Sequence, residues 1–180
     1  MSFFLIFIIL IILWGVLTYN KLITLRGRVD NSWAQIDVQL KRRFNLIPNL
    51  VNTVKGYAQH EKETLEEVTA SRTKYLSAKT PEEKLEANSG LAGALSRLFA
   101  VAENYPDLKA NANFLDLQNQ LKDTEDKIGF SRQFYNDTVM KYNVSIAQLP
   151  TSIIANLFGF KARPYFKTEG EERENIEVKF

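Results

Sequence analysis

Hydrophobic residues are distributed unevenly along the chain, and the pattern changes at about residue 20. Residues 2–17 contain no charged side chain, and Thr18, Tyr19 and Asn20 follow them as the first polar group. An apolar run of about 18 residues is close to the shortest helix that spans the hydrocarbon core of a bilayer. The pattern therefore predicts a membrane-spanning helix over residues 1–20.

A cleaved signal peptide and a buried hydrophobic hairpin are the alternatives to a permanent anchor. A signal peptide needs a basic start and a pair of small residues at its cleavage site. No Lys or Arg precedes the apolar run, and the residues at its end offer no such pair: Trp14, Val16, Leu17 and Tyr19. We therefore expect the segment to be retained as an anchor.

From Leu22 to Tyr75, apolar residues recur every three or four positions, which is the spacing of one helical face. We expect a first long helix here that continues directly from the anchor. Pro48 lies inside it and should kink it, because proline removes a backbone donor and clashes with the preceding turn. A full break at Pro48 is the alternative, and Gly56 is a second weak position.

Two more long helices are indicated further along the chain. Thr80 suits an N-cap and Glu83 completes a capping box, so a second helix should begin here and run to about Glu103. Asp107 is expected to cap a third helix over residues 108–149.

A short fourth helix is predicted over residues 153–158, where nearly every side chain is apolar and Gly159 follows as the terminating residue. Such a segment needs burial against the bundle or against the bilayer surface. Residues 161–180 form a polar C-terminal tail, of which we expect residues 167–179 to be mobile. The predicted fold class is all-α: a single N-terminal transmembrane helix that continues into an antiparallel bundle of three long helices plus a short fourth, the bundle covering residues 21–160.

Composition limits the chemistry. Cysteine is absent, which excludes disulfides and thiolate metal sites, and the single histidine, His60, lacks the second histidine of a His-Glu-x-x-His zinc motif. Neither a nucleophile–base pair nor a glycine-rich phosphate loop can be recognised. We therefore expect no enzymatic activity, no metal and no cofactor.

Charge predicts the orientation in the membrane. Between residues 20 and 45 the chain carries six basic and two acidic side chains, so the positive-inside rule places the N-terminus outside and the bundle in the cytoplasm. Lys21, Arg26 and Arg28 are the predicted membrane contacts, because each basic residue near anionic headgroups contributes about 1 kcal/mol.

Two features after the anchor are candidates for an interaction surface. The basic cluster 41–43 is too narrow for nucleic-acid binding, and Arg43 shares the apolar face, where it could pair with Glu103 or Glu125; solvation of all three bases is the alternative. The loop around Tyr105 could present a binding surface or could simply cap and pack the turn. With the short apolar helix, the candidate surface comprises Arg42, Arg43, Glu103, Asn104, Tyr105, Ile153, Ile154, Leu157 and Phe158.

Several polar residues lie near the apolar seam at helical spacing. Because buried polar groups must be paired, they are expected either to form an interhelical network that fixes the register or to line a groove for a partner. These residues are Gln39, Asn49, Arg132, Asn136 and Asn143.

Several stretches between Tyr19 and Phe166 form a recognisable set of motifs: NSWAQIDVQLKRR from Asn31, LIPNLV from Leu46, VKGYA from Val54, AENYPDLKA from Ala102, Phe114 to Gln118, Tyr135-Asn136, Tyr142-Asn143 and FGF from Phe158. Together they resemble the signature of the LemA family. The departures are mild: Asp30-Asn31-Ser32-Trp33 stands where Glu-Asn-Ala-Trp is expected, and Leu149-Pro150 stands where Phe-Pro is expected.

The resemblance implies a bacterial or archaeal protein of the inner membrane, with one spanning helix, a cytoplasmic helical bundle and no agreed enzymatic activity. We therefore expect a non-catalytic, membrane-anchored scaffold. Its expected partners are the lipid bilayer, a second copy of the chain and unidentified membrane or cytoplasmic proteins, and no nucleic acid. The alternative is a membrane-remodelling or lipid-binding protein that uses the basic juxtamembrane stretch and the apolar segment 153–160.

Overall fold

The computed structural model describes residues 1–58 and 60–166, and these residues form an all-α fold, as predicted. Most of the predicted tail, residues 167–180, lies outside the described residues. The helices are α1 (Ser2–Lys55), α2 (Lys62–Ser77), α3 (Pro81–Ala102), α4 (Pro106–Lys109), α5 (Ala112–Ala147) and α6 (Thr151–Leu157).

The first long helix is divided at Gly56 instead of Pro48. α1 continues through Pro48 to Lys55, and the turn that follows is closed by the amide of Tyr57, which donates to the carbonyl of Val54 at 3.0 Å. Pro48 is exposed, whereas Phe44, Ile47, Leu50 and Val51 on either side of it are buried. Burial of this face therefore outweighs the cost of one proline, and the helix ends where glycine lowers helical propensity.

The start of α3 is as predicted. The amide of Glu83 donates to the Thr80 hydroxyl at 3.2 Å, and the amide of Thr80 donates to the Glu83 carboxylate at 3.1 Å. Amides of Lys79 and Thr80 together lower the pKa of Glu83. This reciprocal capping box satisfies backbone donors that the helix itself cannot pair.

The predicted third helix is split into α4 and α5. Asp107 lies inside α4 and does not cap it; the N-cap is Tyr105, which makes no side-chain capping bond. Asn111 precedes α5, and its side-chain oxygen accepts the amide of Phe114 at 3.1 Å. Asparagine is among the best N-cap residues, so a new helix begins at this point.

The chain divides into two compact units. The central unit comprises Ile36–Gly129, and the terminal unit comprises Met1–Gln35 together with the chain from Phe130 onward. The domain boundaries predicted from the sequence remain predictions.

The central unit contains five helical segments: the end of α1, α2, α3, the short α4 and the start of α5. It exceeds the three predicted helices because α2 and α4 are separate helices. Ion pairs Lys74–Glu86 and Arg97–Glu67 join α2 to α3 in antiparallel order. The core is aliphatic with two stacked aromatic rings, Phe44 and Tyr75, whose centroids are 4.0 Å apart. Its most buried side chains include Ile36, Leu40, Leu50, Val54, Val68, Leu91, Leu98, Leu108 and Ile128.

The terminal unit packs the first part of α1 against the last part of α5 and against α6. Leu22, Val29, Val139 and Tyr142 are its main buried side chains. Trp33 meets Tyr135 edge-on, with ring centroids 5.9 Å apart. Tyr142, seven residues later on α5, lies near the earlier α1 residues Arg26 and Asp30, so the two helices run antiparallel within this unit.

α6 ends at Leu157, and Gly159 is its terminating residue, as predicted. Its φ of 69° lies in the left-handed region, which glycine adopts without a steric penalty. The amide of Phe160 donates to the carbonyl of Ala155 at 2.9 Å, and the amide of Gly159 donates to that of Asn156 at 3.3 Å. This pair of bonds is a Schellman motif, and it turns the chain into the extended segment 161–166.

Candidate functional site

The beginning of α1 is the most apolar exposed surface of the described residues. α1 contains a segment long and apolar enough to cross a membrane, and 6% of that segment is buried. Nearly every side chain from Phe3 to Leu17 is exposed, large and hydrophobic. In water such a surface would be strongly unfavourable, so it requires an apolar environment.

The three predicted membrane-contact residues follow this segment along α1. Lys21, Arg26 and Arg28 are all exposed. The guanidinium of Arg26 lies 5.5 Å from the centroid of the Phe160 ring, a cation–π contact that places residue 26 beside the end of α6.

The predicted surface residues of α6 have different environments. Ile154 is half-buried and points at α1, where a Cβ added to Gly15 would lie 3.7 Å from its Cδ1 atom. The Phe158 ring lies 4.8 Å from the ring of Tyr19. Ile153 and Leu157 are exposed, at 60% and 74%. α6 therefore packs on α1 through one face and leaves the other uncovered.

Two tyrosines and two asparagines of α5 hold the extended segment 161–166 through its backbone. Asn143 exchanges two hydrogen bonds with the backbone of Arg163, at 2.8 and 2.9 Å. Asn136 does the same with Phe166, at 3.0 and 2.8 Å. The hydroxyls of the tyrosines donate to two further carbonyls: Tyr142 to Lys161 at 3.0 Å and Tyr135 to Pro164 at 3.2 Å.

We call this arrangement the Tyr–Asn ladder. Its asparagines are seven residues apart on α5, which corresponds to about 10.5 Å of helical rise. The residues they bind, Arg163 and Phe166, are three apart in an extended chain, which spans about 10 Å. Asn136 and Asn143 thus bind a segment of their own chain instead of forming an interhelical network. The Tyr-Asn pair occurs twice in the sequence, at 135–136 and at 142–143. Its spacing did not show that these side chains bind the backbone of residues 161–166.

Arg43 is a core residue and does not belong to an exposed interaction surface. Its side chain is buried, at 4% exposure, and donates to the side-chain oxygen of Asn88 at 2.6 Å. It also pairs with Glu125, one of the two partners expected from the sequence. The other, Glu103, pairs with Lys109. A buried guanidinium needs such partners, because an unpaired charge inside a core is strongly destabilising.

The loop before α4 is fastened to the turn after α1. The hydroxyl of Tyr105 donates to the Glu61 carboxylate at 2.9 Å, and this hydrogen bond raises the pKa of Tyr105. The side-chain amide of Asn111 donates to the Tyr57 hydroxyl at 2.9 Å. Tyr105 therefore joins two turns, whereas Asn104 and Arg42 remain exposed.

A further apolar surface was missed in the sequence. Phe130, Phe134 and Val144 lie on one side of α5 at helical spacing, and all three are exposed. The buried face of this helix repeats more regularly along the sequence, and it hides the shorter exposed apolar face. We call these residues the α5 stripe.

Two features of the described residues bear on metal binding and catalysis. They contain no group of three or more His, Cys, Asp or Glu side chains that could hold a metal ion. An open groove of about 670 Å³ lies along α2. The hydroxyls of Thr69 and Thr73 at this groove donate to carbonyls of their own helix, so neither is held as a nucleophile.

Comparison with curated proteins gives relatives of two kinds. Magnetosome protein MamQ 2 of Paramagnetospirillum magneticum is 26% identical over 175 residues, covering 83% of this chain and 64% of the relative. Magnetosome protein MamQ of Magnetospirillum gryphiswaldense is 25% identical, covering 82% and 64%. Protein LemA of Metamycoplasma hominis is 27% identical, covering 88% and 73%. The chain thus spans about 64% of the length of the MamQ proteins it matches.

The match to a protein family covers a similar share of the chain to these pairwise matches. The sequence pattern of the LemA family matches residues 32–180, which includes the whole central unit, α5, α6 and the Tyr–Asn ladder. The chain therefore belongs to the LemA family.

Proposed function

We propose that this protein is a non-catalytic, membrane-anchored helical scaffold. The observation that carries the proposal is the continuity of α1, in which one unbroken helix contains both the exposed apolar segment and core residues such as Leu22 and Leu40. A helix that enters lipid at one end and a folded core at the other confines the fold to the membrane surface. That confinement raises the effective concentration of whatever the fold binds.

The proposed location is the cytoplasmic membrane of a bacterium or archaeon, with the N-terminus outside. The excess of basic residues after the apolar segment supports this orientation. Two of the relatives are magnetosome proteins by name. A role at a membrane is consistent with those names. For this chain, the proposal of a membrane location rests on the exposed apolar surface of α1.

We propose a second copy of the chain as one binding partner, through the α5 stripe. An anchor gives every copy the same orientation and the same depth, so the stripe of one copy would face that of a neighbour at the same height. Phe130 and Phe134 are large and uncharged, and two such stripes would bury apolar area on meeting.

The test uses single-cysteine variants of the full chain in isolated membranes, which is a clean design because the protein contains no cysteine. Phe134→Cys should form disulfide-linked dimers on mild oxidation. Asn31→Cys, at an exposed position of α1 in the same unit, is the matched control and should form few. Equal cross-linking of the two variants would overturn self-association through the stripe.

The same variants test the anchor and its orientation. Alkaline carbonate should leave the chain in the membrane pellet, and release into the supernatant would overturn the proposed function itself. Asn31→Cys should react with a membrane-impermeant maleimide only after the membrane is opened. Labelling of intact cells would reverse the orientation.

A further inference from the structure

We infer that α6 is a second membrane contact of this protein. It lies at the boundary between acyl chains and headgroups, in the leaflet from which α1 emerges. This inference rests on the proposed function, because it requires the apolar segment of α1 to be in lipid. The ligand is the boundary between acyl chains and headgroups, and the contact surface is Leu149, Ile153, Leu157 and Phe158.

The first observation is the level at which α6 packs along α1. Ile154 reaches the backbone at Gly15, inside the apolar segment, and Phe158 meets Tyr19 at its end. If residues 2–17 lie in the hydrocarbon, a helix beside residues 15–19 is at the depth of the acyl boundary. Because Ile154 lies beside Gly15 and Phe158 lies beside Tyr19, α6 runs alongside this part of α1 and its uncovered face is at the same depth.

The second observation is the chemistry of the uncovered face. Leu149, Ile153, Leu157 and Phe158 are all exposed, although each is large and apolar. Residues 142–160 contain no charged side chain at all. In water this face would be an unpartnered apolar patch, but it is continuous with the exposed apolar surface of α1.

The third observation is the position of the charges. Basic side chains begin again immediately outside this surface, at Lys21 and Arg26 on α1 and at Lys161 after α6. All three are exposed. Cations around an apolar patch suit the phosphate region of an anionic leaflet, where each contributes to binding. A lipid surface fits this order of apolar and basic groups better than a second protein does.

The experiment measures depth with the full chain reconstituted in vesicles of phosphatidylcholine and phosphatidylglycerol. An environment-sensitive fluorophore is attached to one cysteine at a time: Leu157→Cys in α6, Leu10→Cys in the anchor, or Phe130→Cys in α5. Leu157 and Phe130 are both 74% exposed, so their labels start from the same accessibility. Lipids brominated along the acyl chain then report contact with hydrocarbon by quenching.

The expected result is strong quenching at residues 10 and 157 and little at residue 130. Quenching at residue 10 without quenching at residue 157 would overturn the interfacial role of α6 and leave the anchor intact. A blue-shifted but unquenched label at residue 157 would overturn it as well, because a protein would then cover the face. Absence of quenching at residue 10 would overturn the anchor and with it the proposed function.

Discussion

The central and terminal units both have an α-helical core, but different interactions stabilise the two cores. In the central unit, helices pack on helices, and the interior consists of aliphatic side chains, a stacked aromatic pair and one buried cation, Arg43. In the terminal unit, part of the packing partner is an irregular segment, residues 161–166, which the Tyr–Asn ladder holds by its backbone.

The difference follows from where backbone hydrogen bonds are made. A helix satisfies its own amides and carbonyls, so its neighbours need to provide only shape and apolar surface. An extended segment beside a helix has no such internal partners. Side chains such as Asn136 and Asn143 must then supply donors and acceptors, and they do so with neutral groups.

The largest effect should come from opening the aliphatic core. Phe44→Ala should reduce the free energy of unfolding by about 4 kcal/mol, because it leaves a cavity and removes the ring stacked on Tyr75. Urea unfolding of the full chain in detergent measures this loss. Phe130→Ala, which changes an exposed phenylalanine, should cost less than about 0.5 kcal/mol. Equal losses would show that the side-chain core does not dominate the central unit.

The buried cation should matter nearly as much. Arg43→Ala should cost about 3 kcal/mol, because Asn88 is left buried without its donor. A larger loss of stability is not expected, because the side chain of Glu125 is 42% exposed and can be hydrated when its partner is removed. Replacing both buried partners with apolar residues, Arg43→Met with Asn88→Leu, should recover part of the stability. A double variant that is less stable than Arg43→Ala would contradict this account.

A smaller and local effect is expected in the ladder. Asn136→Ala removes two hydrogen bonds to Phe166 and should cost about 1–2 kcal/mol. Hydrogen exchange followed by mass spectrometry should show faster exchange in residues 160–166 and unchanged exchange in the central unit. Asp137→Ala, at the adjacent exposed position, is the control. Loss of protection across the central unit would mean that the ladder is not a local device.

The smallest expected effect is a pH dependence of stability that differs between the two units. Partial burial alone would raise the pKa of Asp37, but hydrogen bonds from Lys84 and Lys41 outweigh burial and hold it below its usual value. Because the folded pKa is lowered, this stabilisation is present above about pH 4 and is lost as the pH falls through the folded value.

The measurement is the urea midpoint between pH 6 and pH 3. Asp37→Asn should make the fall of the urea midpoint with acid shallower. The ion pairs of Asp37 with Lys84 and Lys41 contribute about 1 kcal/mol or less to the free energy of unfolding. Exchange in residues 160–166 should change less over this range, because the ladder bonds of Asn136 and Asn143 involve no ionisable group. An unchanged slope in Asp37→Asn would remove Asp37 as the acid-sensitive group.

Features fixed by neighbouring residues were predictable from the sequence. The capping box at Thr80 and the terminating Gly159 each depend on a few adjacent positions. The pairing of Arg43 with Glu125 followed from a cation on an apolar face, although Glu103 was an equal candidate. The apolar helix at the N-terminus is evident from composition alone.

Features decided by tertiary contacts were not predictable. Pro48 does not end α1, because buried residues on both sides, Phe44 and Val51 among them, keep the helix packed. The turn at Gly56 and the start of α5 are joined by the hydrogen bond from Asn111 to Tyr57, a long-range contact that no periodicity reveals. The cap itself is a local bond from the amide of Phe114 to Asn111, and the third-helix prediction overlooked it. The partner of the ladder is a backbone, and a backbone leaves no pattern in a sequence. The membrane contacts of Lys21, Arg26 and Arg28 remain predictions.

The ladder sets a rule for how residues 161–166 can vary. Its asparagines contact main-chain atoms of Arg163 and Phe166, which every residue except proline offers in full. The ladder bonds themselves therefore tolerate most substitutions in the segment, although the buried Phe166 ring also lies 3.9 Å from the Arg132 guanidinium. Adding or deleting one residue between these two positions would shift the chain by about 3.3 Å against a fixed helical repeat. The ladder therefore constrains the number of residues in this segment more strongly than their identity.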